Sequence, residues 1–278
     1  MRFIWLLAEL LALAVTLSVT MTYVIRTYEI GNGDSSKAAY GAFSAFDRIL
    51  AIVGEIAAAF ACILLYPLGS VMGKYPKAGL RPGERPVILC HGYKHNRSGF
   101  LLMRHRLKRA GWNNVITPNF RPASATVPHF AEQLAETVQS AISETAVERV
   151  DLIGHSMGGL VIRYYLDRLG GAAHVRTAIT LGSPHGGTKM AALGLFKSAR
   201  QFRTDSQLIR ELNLSSPSEA VRMLAIWSEF DNIVLPPQNA LLPAPYENFM
   251  VGNVGHIALL FSGRVFDKIA RTLSEGKC

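Results

Sequence analysis

Cysteine is scarce in this sequence, and the spacings typical of metal ligands are missing from it. Only three cysteines occur among 278 residues: Cys62 in an apolar run, Cys90 at the end of a predicted strand, and Cys278 at the terminus. Three thiols so placed offer no disulfide framework, so we predict that they are buried or inert. Histidines, cysteines and carboxylates nowhere show a metal-ligand spacing, and we predict no metal site.

Acidic residues are outnumbered by basic ones. The chain has 29 lysines and arginines against 20 aspartates and glutamates, a formal net charge of +9. This excess permits contact with anionic lipid headgroups or with nucleic acid, but net charge alone identifies neither partner. The densest basic stretch, residues 104–109, is not interleaved with aromatic side chains. We therefore predict that it is a solvated helix face and that nucleic acid is not a partner.

Two long apolar runs precede residue 70. Residues 3–25 carry Glu9 as their only charge and approach the roughly 20 residues with which a helix crosses a bilayer. A cleaved signal peptide is the alternative, but its apolar core is usually shorter. A second run, 49–68, is interrupted by Glu55. We predict two transmembrane helices forming a hairpin, with Glu9 and Glu55 facing each other; in the alternative, the second run packs against the following domain.

The basic residues around these runs bear on orientation. Three lie between the runs and four follow the second: Arg26, Lys37 and Arg48, then Lys74, Lys77, Arg81 and Arg85. With Arg2 at the start, this distribution favours both termini in the cytoplasm.

The chain divides into three predicted parts: a membrane anchor over 1–72, a glycine- and proline-rich linker over 73–85, and a domain over 86–278. Within the domain, apolar runs alternate with helical patterns. The predicted strands are 87–90, 114–118, 149–154, 175–181, 221–228 and 248–252. The predicted helices are 99–110, 128–143, 158–169 and 257–273. This order predicts an α/β fold, a mostly parallel sheet flanked by helices.

A nucleophile motif follows the third strand. Gly154, His155, Ser156, Met157 and Gly158 fit the pattern G-x-S-x-G, with a predicted strand before it and a helix after it. Glycines at both ends allow a sharp, strained turn that exposes the serine. The pattern predicts Ser156 as a nucleophile.

The first strand ends in His91-Gly92-Tyr93, and here the chain resembles the bacterial lipase and esterase branch of the α/β-hydrolase superfamily, over roughly residues 86–273. The resemblance implies an α/β-hydrolase fold whose oxyanion hole is shaped by the His91-Gly92 pair. Its donors would be the backbone amides of Tyr93 and Met157. His91 as the catalytic base is the less favoured alternative. For such a bacterial protein we predict the inner membrane, with two spans and a cytoplasmic domain; the periplasm is the alternative.

A serine needs a base, and the base needs an acid that orients it; in this fold the order is serine, acid, histidine. The segment from Asp231 to Pro236 resembles the family's D-x-x-V-x-P acid loop, which implies Asp231, with Glu229 as the alternative. His256 occupies the last strand-to-helix loop, as the family's Gly-His segment does, and we predict it as the base.

Residues 180–188 resemble a stretch that borders the cleft in these lipases. After this stretch, the regular alternation of predicted strands and helices stops. We predict a lid over 188–217; an ordinary packed helix is the alternative. A separate Ser183–His185 dyad is disfavoured.

The predicted function is a serine hydrolase of lipid-like carboxylic esters. The mechanism needs no cofactor, and the predicted partners are an ester substrate and the bilayer. The alternatives are an acyltransferase or thioesterase with the same triad, or a non-catalytic binding module. The oligomeric state is not predicted.

Overall fold

The computed structural model describes residues 1–32, 44–71, 79–194, 197–215 and 220–275. Two long helices, α1 (Arg2–Asn32) and α2 (Ala45–Leu65), and a single turn, α3 (Leu68–Val71), come first. The strands that follow are β1 (Val87–Cys90), β2 (Val115–Ile116), β3 (Val150–His155), β4 (Val175–Leu181), β5 (Arg222–Trp227) and β6 (Glu247–Met250). The helices among and after them are α4 (Leu101–Arg109), α5 (Val127–Thr145), α6 (Met157–Arg168), α7 (Gln207–Asn213) and α8 (Gly263–Ser274).

The described strands form one parallel sheet in the order β2-β1-β3-β4-β5-β6. A parallel sheet is normally covered on both faces, which explains why β1 is wholly apolar and why β1 and β3 are both buried along their whole length. One apolar cluster joins the sheet to α5 and α6, and a second joins its other face to α4 and α8. The predicted α/β architecture is confirmed.

Most element bounds lie within two residues of the prediction, but the closing helix does not. It was expected from residue 257, whereas α8 begins at Gly263. Ser262 caps it by accepting a hydrogen bond from the Val265 N–H. A separate 3-10 turn, Ala258–Leu260, precedes this cap, so the histidine loop is longer than the hydrophobic pattern indicated.

The amino-terminal helices differ in length from the predicted spans. α1 continues to Asn32, beyond residue 25. α2 starts four residues earlier than expected, because Ser44 and Asp47 form a reciprocal capping box at its amino end. Both helices are long and apolar enough to cross a membrane, with mean hydropathies of 2.1 and 2.2.

One face of each helix packs inward and the other remains exposed. The buried positions recur at helical spacing, Val15, Val19, Tyr23, Arg26 and Ile30 on α1 and Ala51, Glu55, Ala58, Ala59 and Cys62 on α2. α2 also contacts the α/β domain at both ends, since the Asn253 amide donates to Asp47 and the Asn96 amide donates to the Tyr66 carbonyl. The alternative in which the second run packs on the domain is therefore confirmed for this inner face.

The expected pairing of Glu9 with Glu55 is wrong. Glu9 lies exposed on the free half of α1, whereas Glu55 is only 1% exposed and accepts two backbone hydrogen bonds from the domain. The pairing failed because α2 turns its polar position towards the domain rather than towards α1.

Several predictions fall on residues outside the described ranges. Lys37, Lys74, Lys77 and Cys278 lie there, so the orientation argued from basic residues stays a prediction. The division into anchor, linker and domain stays a prediction as well.

Candidate active site

Ser156 occupies the sharp turn between β3 and α6. Its backbone has φ 54° and ψ −122°, a region that a residue with a Cβ rarely adopts. The turn is held because the Ser156 N–H donates to the Leu181 carbonyl at 2.9 Å, which ties it to the end of the neighbouring strand β4. Ser156 is thus presented at the carboxyl end of the sheet, where such folds collect reactive groups.

The two glycines of the motif let backbone segments approach more closely than any side chain would permit. A Cβ on Gly158 would lie 2.1 Å from the Cys90 carbonyl oxygen, and one on Gly154 would lie 2.6 Å from the Gly158 backbone. The first contact brings α6 against the end of β1, and the second closes the turn itself. The predicted supporting role of both glycines has this steric basis.

We expect Gly158→Ala to destabilise the domain by about 1–3 kcal/mol, because the added methyl group must displace the backbone of β1. The midpoint of thermal or denaturant unfolding of the detergent-solubilised protein would measure the loss. Gly263→Ala is the matched control, since an added Cβ there meets nothing within 4 Å. Equal midpoints for the two variants would contradict this steric account.

Asp231 and His256 form a buried hydrogen-bonded pair. The distance from His256 Nδ1 to Asp231 Oδ2 is 2.8 Å, and the residues are 4% and 0% exposed. The other carboxylate oxygen of Asp231 accepts the backbone N–H groups of Ile233 and Val234, each at 2.8 Å. This arrangement fixes the carboxylate and directs its second oxygen at the imidazole.

The electrostatics of His256 suit a base held beside an acid. Burial lowers the pKa of His256, but the charge and hydrogen bond of Asp231, with a contribution from Glu55, outweigh burial and leave it above the usual value of 6.5. Neighbouring His155 has the opposite balance, because burial places its pKa well below 6.5 and keeps it neutral near pH 7. Only one of these two imidazoles is therefore arranged to take up a proton.

His155 instead supports the loop that carries His256. Its Nε2 lies 3.1 Å from the His256 carbonyl oxygen, and the two ring centroids are 4.8 Å apart. The backbone N–H of His256 in turn donates to Asn232 Oδ1 at 3.2 Å. The histidine loop is thus fixed to the residue before Ser156 and to the residue after Asp231.

Asp231 and His256 are in direct contact. Within the described ranges, His256 and Ser156 form no hydrogen bond. Such contacts are often long in unliganded enzymes and tighten in the substrate complex. Glu229, the alternative acid, is also buried, and burial raises its pKa. It is Asp231, however, whose carboxylate meets the imidazole.

Tyr93, Ser156 and Met157 line one cleft. A Cβ on Gly92 would lie 3.1 Å from Ser156 Cβ, so the His91-Gly92-Tyr93 loop lies directly against the serine. Across the described part of the chain, neither the Tyr93 nor the Met157 backbone N–H has an acceptor. Both amides therefore remain available as hydrogen-bond donors next to Ser156.

His91 is occupied with shaping this loop. Its Nδ1 donates to the Gly92 carbonyl at 2.9 Å, and its Nε2 accepts the Phe120 N–H at 3.0 Å. Because burial lowers its pKa to about 4, the ring stays neutral. With both ring nitrogens engaged, His91 is a poor candidate for the base.

The cleft beside Ser156 has a volume of about 280 Å³. Much of its wall comes from the irregular segment after β4, which forms two 3-10 turns, Lys189–Leu193 and Lys197–Phe202. Its apolar lining includes Met157, Met190, Leu193, Phe202 and Val234.

The irregular segment is attached to the His91-Gly92-Tyr93 loop. The Tyr93 hydroxyl lies 3.0 Å from Ser198 Oγ, and the Tyr93 ring meets Phe202 edge to face at 5.3 Å. Residues 195–196 and 216–217 of the predicted lid lie outside the described ranges, and its mobility stays a prediction.

Sequence reasoning missed three residues that hold the loops of Asp231 and His256: Glu55, Arg26 and Asn232. Arg26 is buried, donates to the Glu229 carbonyl oxygen and lies 5.4 Å from the centre of the Phe230 ring. The Asn232 amide donates to Thr22 of α1 at 2.7 Å. A charge inside an apolar run was the available signal for Glu55. Within the described ranges, no three potential ligands cluster closely enough to hold a metal ion.

Solved structures similar to this chain are lipases and esterases. Lipase B of Aspergillus fumigatus is 23% identical, with a TM-score of 0.65 over 72% of this chain and 55% of its own. A mature Bacillus licheniformis lipase is 16% identical, with a TM-score of 0.58 over 72% and 96% of the two chains. A thermophilic esterase from Thermogutta terrifontis is 19% identical, with a TM-score of 0.50 over 70% and 91%. The chain thus spans little more than half of the Aspergillus enzyme, and at these identities the likenesses show the fold.

A family model described as palmitoyl protein thioesterase matches residues 86–230. The match contains the His91-Gly92-Tyr93 loop and the G-x-S-x-G motif and ends one residue before Asp231. It covers more than half of the chain, and the hydrolase fold seen in the structural neighbours agrees with it. This chain is therefore a member of the palmitoyl protein thioesterase family, within the lipase and esterase branch of the α/β-hydrolases.

Proposed function

We propose that this chain is a serine acyl hydrolase that cleaves lipid-like carboxylic esters through an acyl-enzyme on Ser156. The observation that carries the proposal is the buried 2.8 Å hydrogen bond between Asp231 and His256. The His256 loop contacts His155, the residue before Ser156, and Ser156 itself has strained backbone geometry. A carboxylate, an imidazole and a serine hydroxyl have complementary roles in acyl transfer.

In the proposed mechanism, Ser156 Oγ attacks the ester carbonyl carbon while His256 takes up the hydroxyl proton. Asp231 holds His256 in the tautomer whose Nε2 is free to accept that proton. The Tyr93 and Met157 amides donate to the oxyanion, and each such donor is worth about 2.7–4 kcal/mol in related chemistry. His256 then protonates the departing alcohol oxygen, which leaves an acyl group on Ser156. Water, deprotonated by His256, attacks the acyl-enzyme, releases the carboxylic acid and regenerates the serine hydroxyl.

The lining of the cleft supports an apolar acyl group. Its walls are largely apolar beside Ser156, and its volume of about 280 Å³ lies near the lower end of ligand pockets. Burying each methylene there is worth about 0.8 kcal/mol, so selectivity for longer acyl chains follows from the lining alone.

A thioesterase is the second candidate, and the family description favours it. The same nucleophile, base and oxyanion donors would act on a thioester. The two reactions differ in the leaving group, which is a thiol in one and an alcohol in the other.

Attachment to a membrane belongs to the proposal. The free half of α1 exposes large apolar side chains, among them Phe3 at 70%, Trp5 at 67% and Leu17 at 59%. A soluble protein rarely leaves so continuous an apolar surface in water. A bilayer around these helices would place the cleft next to its lipids.

Matched substrates test the proposal. For p-nitrophenyl esters of increasing chain length we expect kcat/KM to rise by up to about fourfold per methylene until the cleft is filled. The measurement uses the full chain in detergent micelles, with the Ser156→Ala variant as background. Acyl thioesters of the same chain lengths separate the two candidates. Turnover that is independent of chain length would contradict an acyl-binding cleft.

A further inference from the structure

A buried carboxylate of the amino-terminal hairpin reaches into the active-site region. Glu55 lies midway along α2 and is 1% exposed. Its two oxygens accept the backbone N–H groups of Ile257 and Ala258, each at 2.9 Å. These are the two peptide groups that directly follow His256.

Both the helix and the loop are adapted to the contact between Glu55 and the histidine loop. A carboxylate is costly to bury unless its oxygens receive hydrogen bonds, and here each oxygen receives one. On the loop side, a Cβ on Gly255 would lie 2.4 Å from Glu55 Oε2 and 2.6 Å from the Tyr23 hydroxyl. Only glycine therefore lets the loop approach the hairpin this closely.

The α/β domain holds the loop at His256 itself. The His256 N–H donates to Asn232 Oδ1, and the His256 carbonyl oxygen lies 3.1 Å from His155 Nε2. After it, the loop continues through Ile257 and Ala258, whose N–H groups both end on Glu55. The hairpin therefore completes the attachment of the segment that carries the base.

We propose that Glu55 is a positioning residue for His256, so that the apolar hairpin is part of the catalytic apparatus as well as a means of attachment. This role rests on the proposed function. Glu55 acts through the backbone of the histidine loop, keeping the imidazole aligned between Asp231 and Ser156. Misplacement by about 1 Å can cost 100-fold in rate, so loss of the two hydrogen bonds to Glu55 would lower turnover without altering the cleft.

The test compares Glu55→Gln with Glu9→Gln in the full chain in detergent micelles. Glutamine keeps the shape of the side chain but turns an amide donor towards one of the two N–H groups. We expect kcat of Glu55→Gln to fall about 10- to 100-fold with KM within about twofold. The Glu9 variant, exposed on α1, should keep wild-type values. A Glu55→Gln enzyme with wild-type kcat would overturn the proposal.

The pH profile separates positioning from general support of the fold. The titratable groups that face His256 are Asp231, Glu55 and His155, and His155 stays neutral near pH 7. Since the hydrogen bond from Asp231 helps to raise the pKa of His256, a loop that no longer holds the imidazole against Asp231 should lower that pKa and extend the acid limb of kcat/KM to lower pH. A fall in kcat with an unshifted limb would assign Glu55 a structural role only and overturn the proposal.

Gly255→Ala keeps the proposal falsifiable if Glu55→Gln folds poorly. The added methyl group disturbs the same contact from the loop while leaving α2 intact, so the same loss in kcat at constant KM is expected. Wild-type turnover by a folded Gly255→Ala enzyme would overturn the role of the contact. Labelling by a fluorophosphonate separates a failure of the proposed function from a failure of the positioning role. If Ser156 of the wild-type chain is not labelled, both are overturned. If it is labelled and the Glu55→Gln variant is fully active, only the positioning role is overturned.

Discussion

Replacing Ser156 with alanine should lower kcat by about 10⁴- to 10⁶-fold, the range seen when the nucleophile of a serine hydrolase is removed. The other two hydroxyl groups that line the described cleft are already engaged: Thr188 Oγ1 donates to the Ile233 carbonyl oxygen, and the Tyr93 hydroxyl lies 3.0 Å from Ser198 Oγ. The same change should abolish covalent labelling by a fluorophosphonate probe. Turnover of a p-nitrophenyl ester and the mass of the labelled peptide measure the two effects.

Ser183→Ala is the control for this result. Ser183 is buried, 1% exposed, and its hydroxyl has no hydrogen-bond partner in the described part of the chain. Its neighbour His185 places Nε2 3.0 Å from the Thr180 hydroxyl. We expect this variant to keep its activity and its labelling at Ser156. Loss of both would favour the Ser183–His185 dyad that the sequence left as an alternative.

The elements that carry the candidate site could be predicted from the sequence because most of their constraints are local. A buried parallel strand is a continuous apolar run, and the turn after β3 needs glycines at 154 and 158, where a Cβ would meet backbone. The apolar run and the Gly154 contact depend on neighbours in the chain, whereas Gly158 meets the distant Cys90 backbone and was recognisable only from the G-x-S-x-G pattern. The same holds for His256, which was assigned from its position after the last strand.

The partners of the loops were not predictable in this way. Glu55 lies 202 residues from Ile257 in the sequence, and nothing within an apolar helix says which surface will receive its carboxylate. The expected pairing with Glu9 followed a rule for carboxyl groups inside membrane bundles. In the structure, the buried carboxylate of Glu55 instead receives its hydrogen bonds from two backbone N–H groups of the α/β domain.

The start of α8 was missed for a related reason. Hydrophobic periodicity continues from residue 257 through Leu273, but the loop that must bring His256 to Asp231 takes up the first turn. Ser262 then supplies a new cap. Tertiary geometry at the site therefore overrides the local pattern, as expected where function constrains the backbone.

The hairpin combines two surfaces with different demands. Its outer side chains are apolar and exposed, as a helix in contact with lipid requires, whereas its inner face carries Arg26 and Glu55 to the loops that bear Asp231 and His256. A detached α/β domain would leave the Ile257 and Ala258 N–H groups without these acceptors. Truncation before residue 79 would therefore remove part of the active-site support together with the apolar helices.

Asp231→Asn should lower kcat by about 10⁴-fold. The carbonyl oxygen of the new amide would accept the Ile233 and Val234 N–H groups, as Asp231 Oδ1 does at 2.8 Å. Its NH₂ group would then face His256 Nδ1, which favours the tautomer protonated at Nε2. That tautomer cannot accept the Ser156 proton, so turnover falls although the geometry is kept.

Glu229→Gln is the matched control, because it changes the alternative acid two residues away on the same loop. Its backbone carbonyl, which accepts from Arg26, is left in place, so we expect kcat within about twofold of wild type. Steady-state kinetics of both variants, with unfolding midpoints to show that each is folded, would assign the acid. If Glu229→Gln were the inactive variant and Asp231→Asn the active one, the acid would be Glu229, and the buried Asp231–His256 hydrogen bond would serve the fold alone.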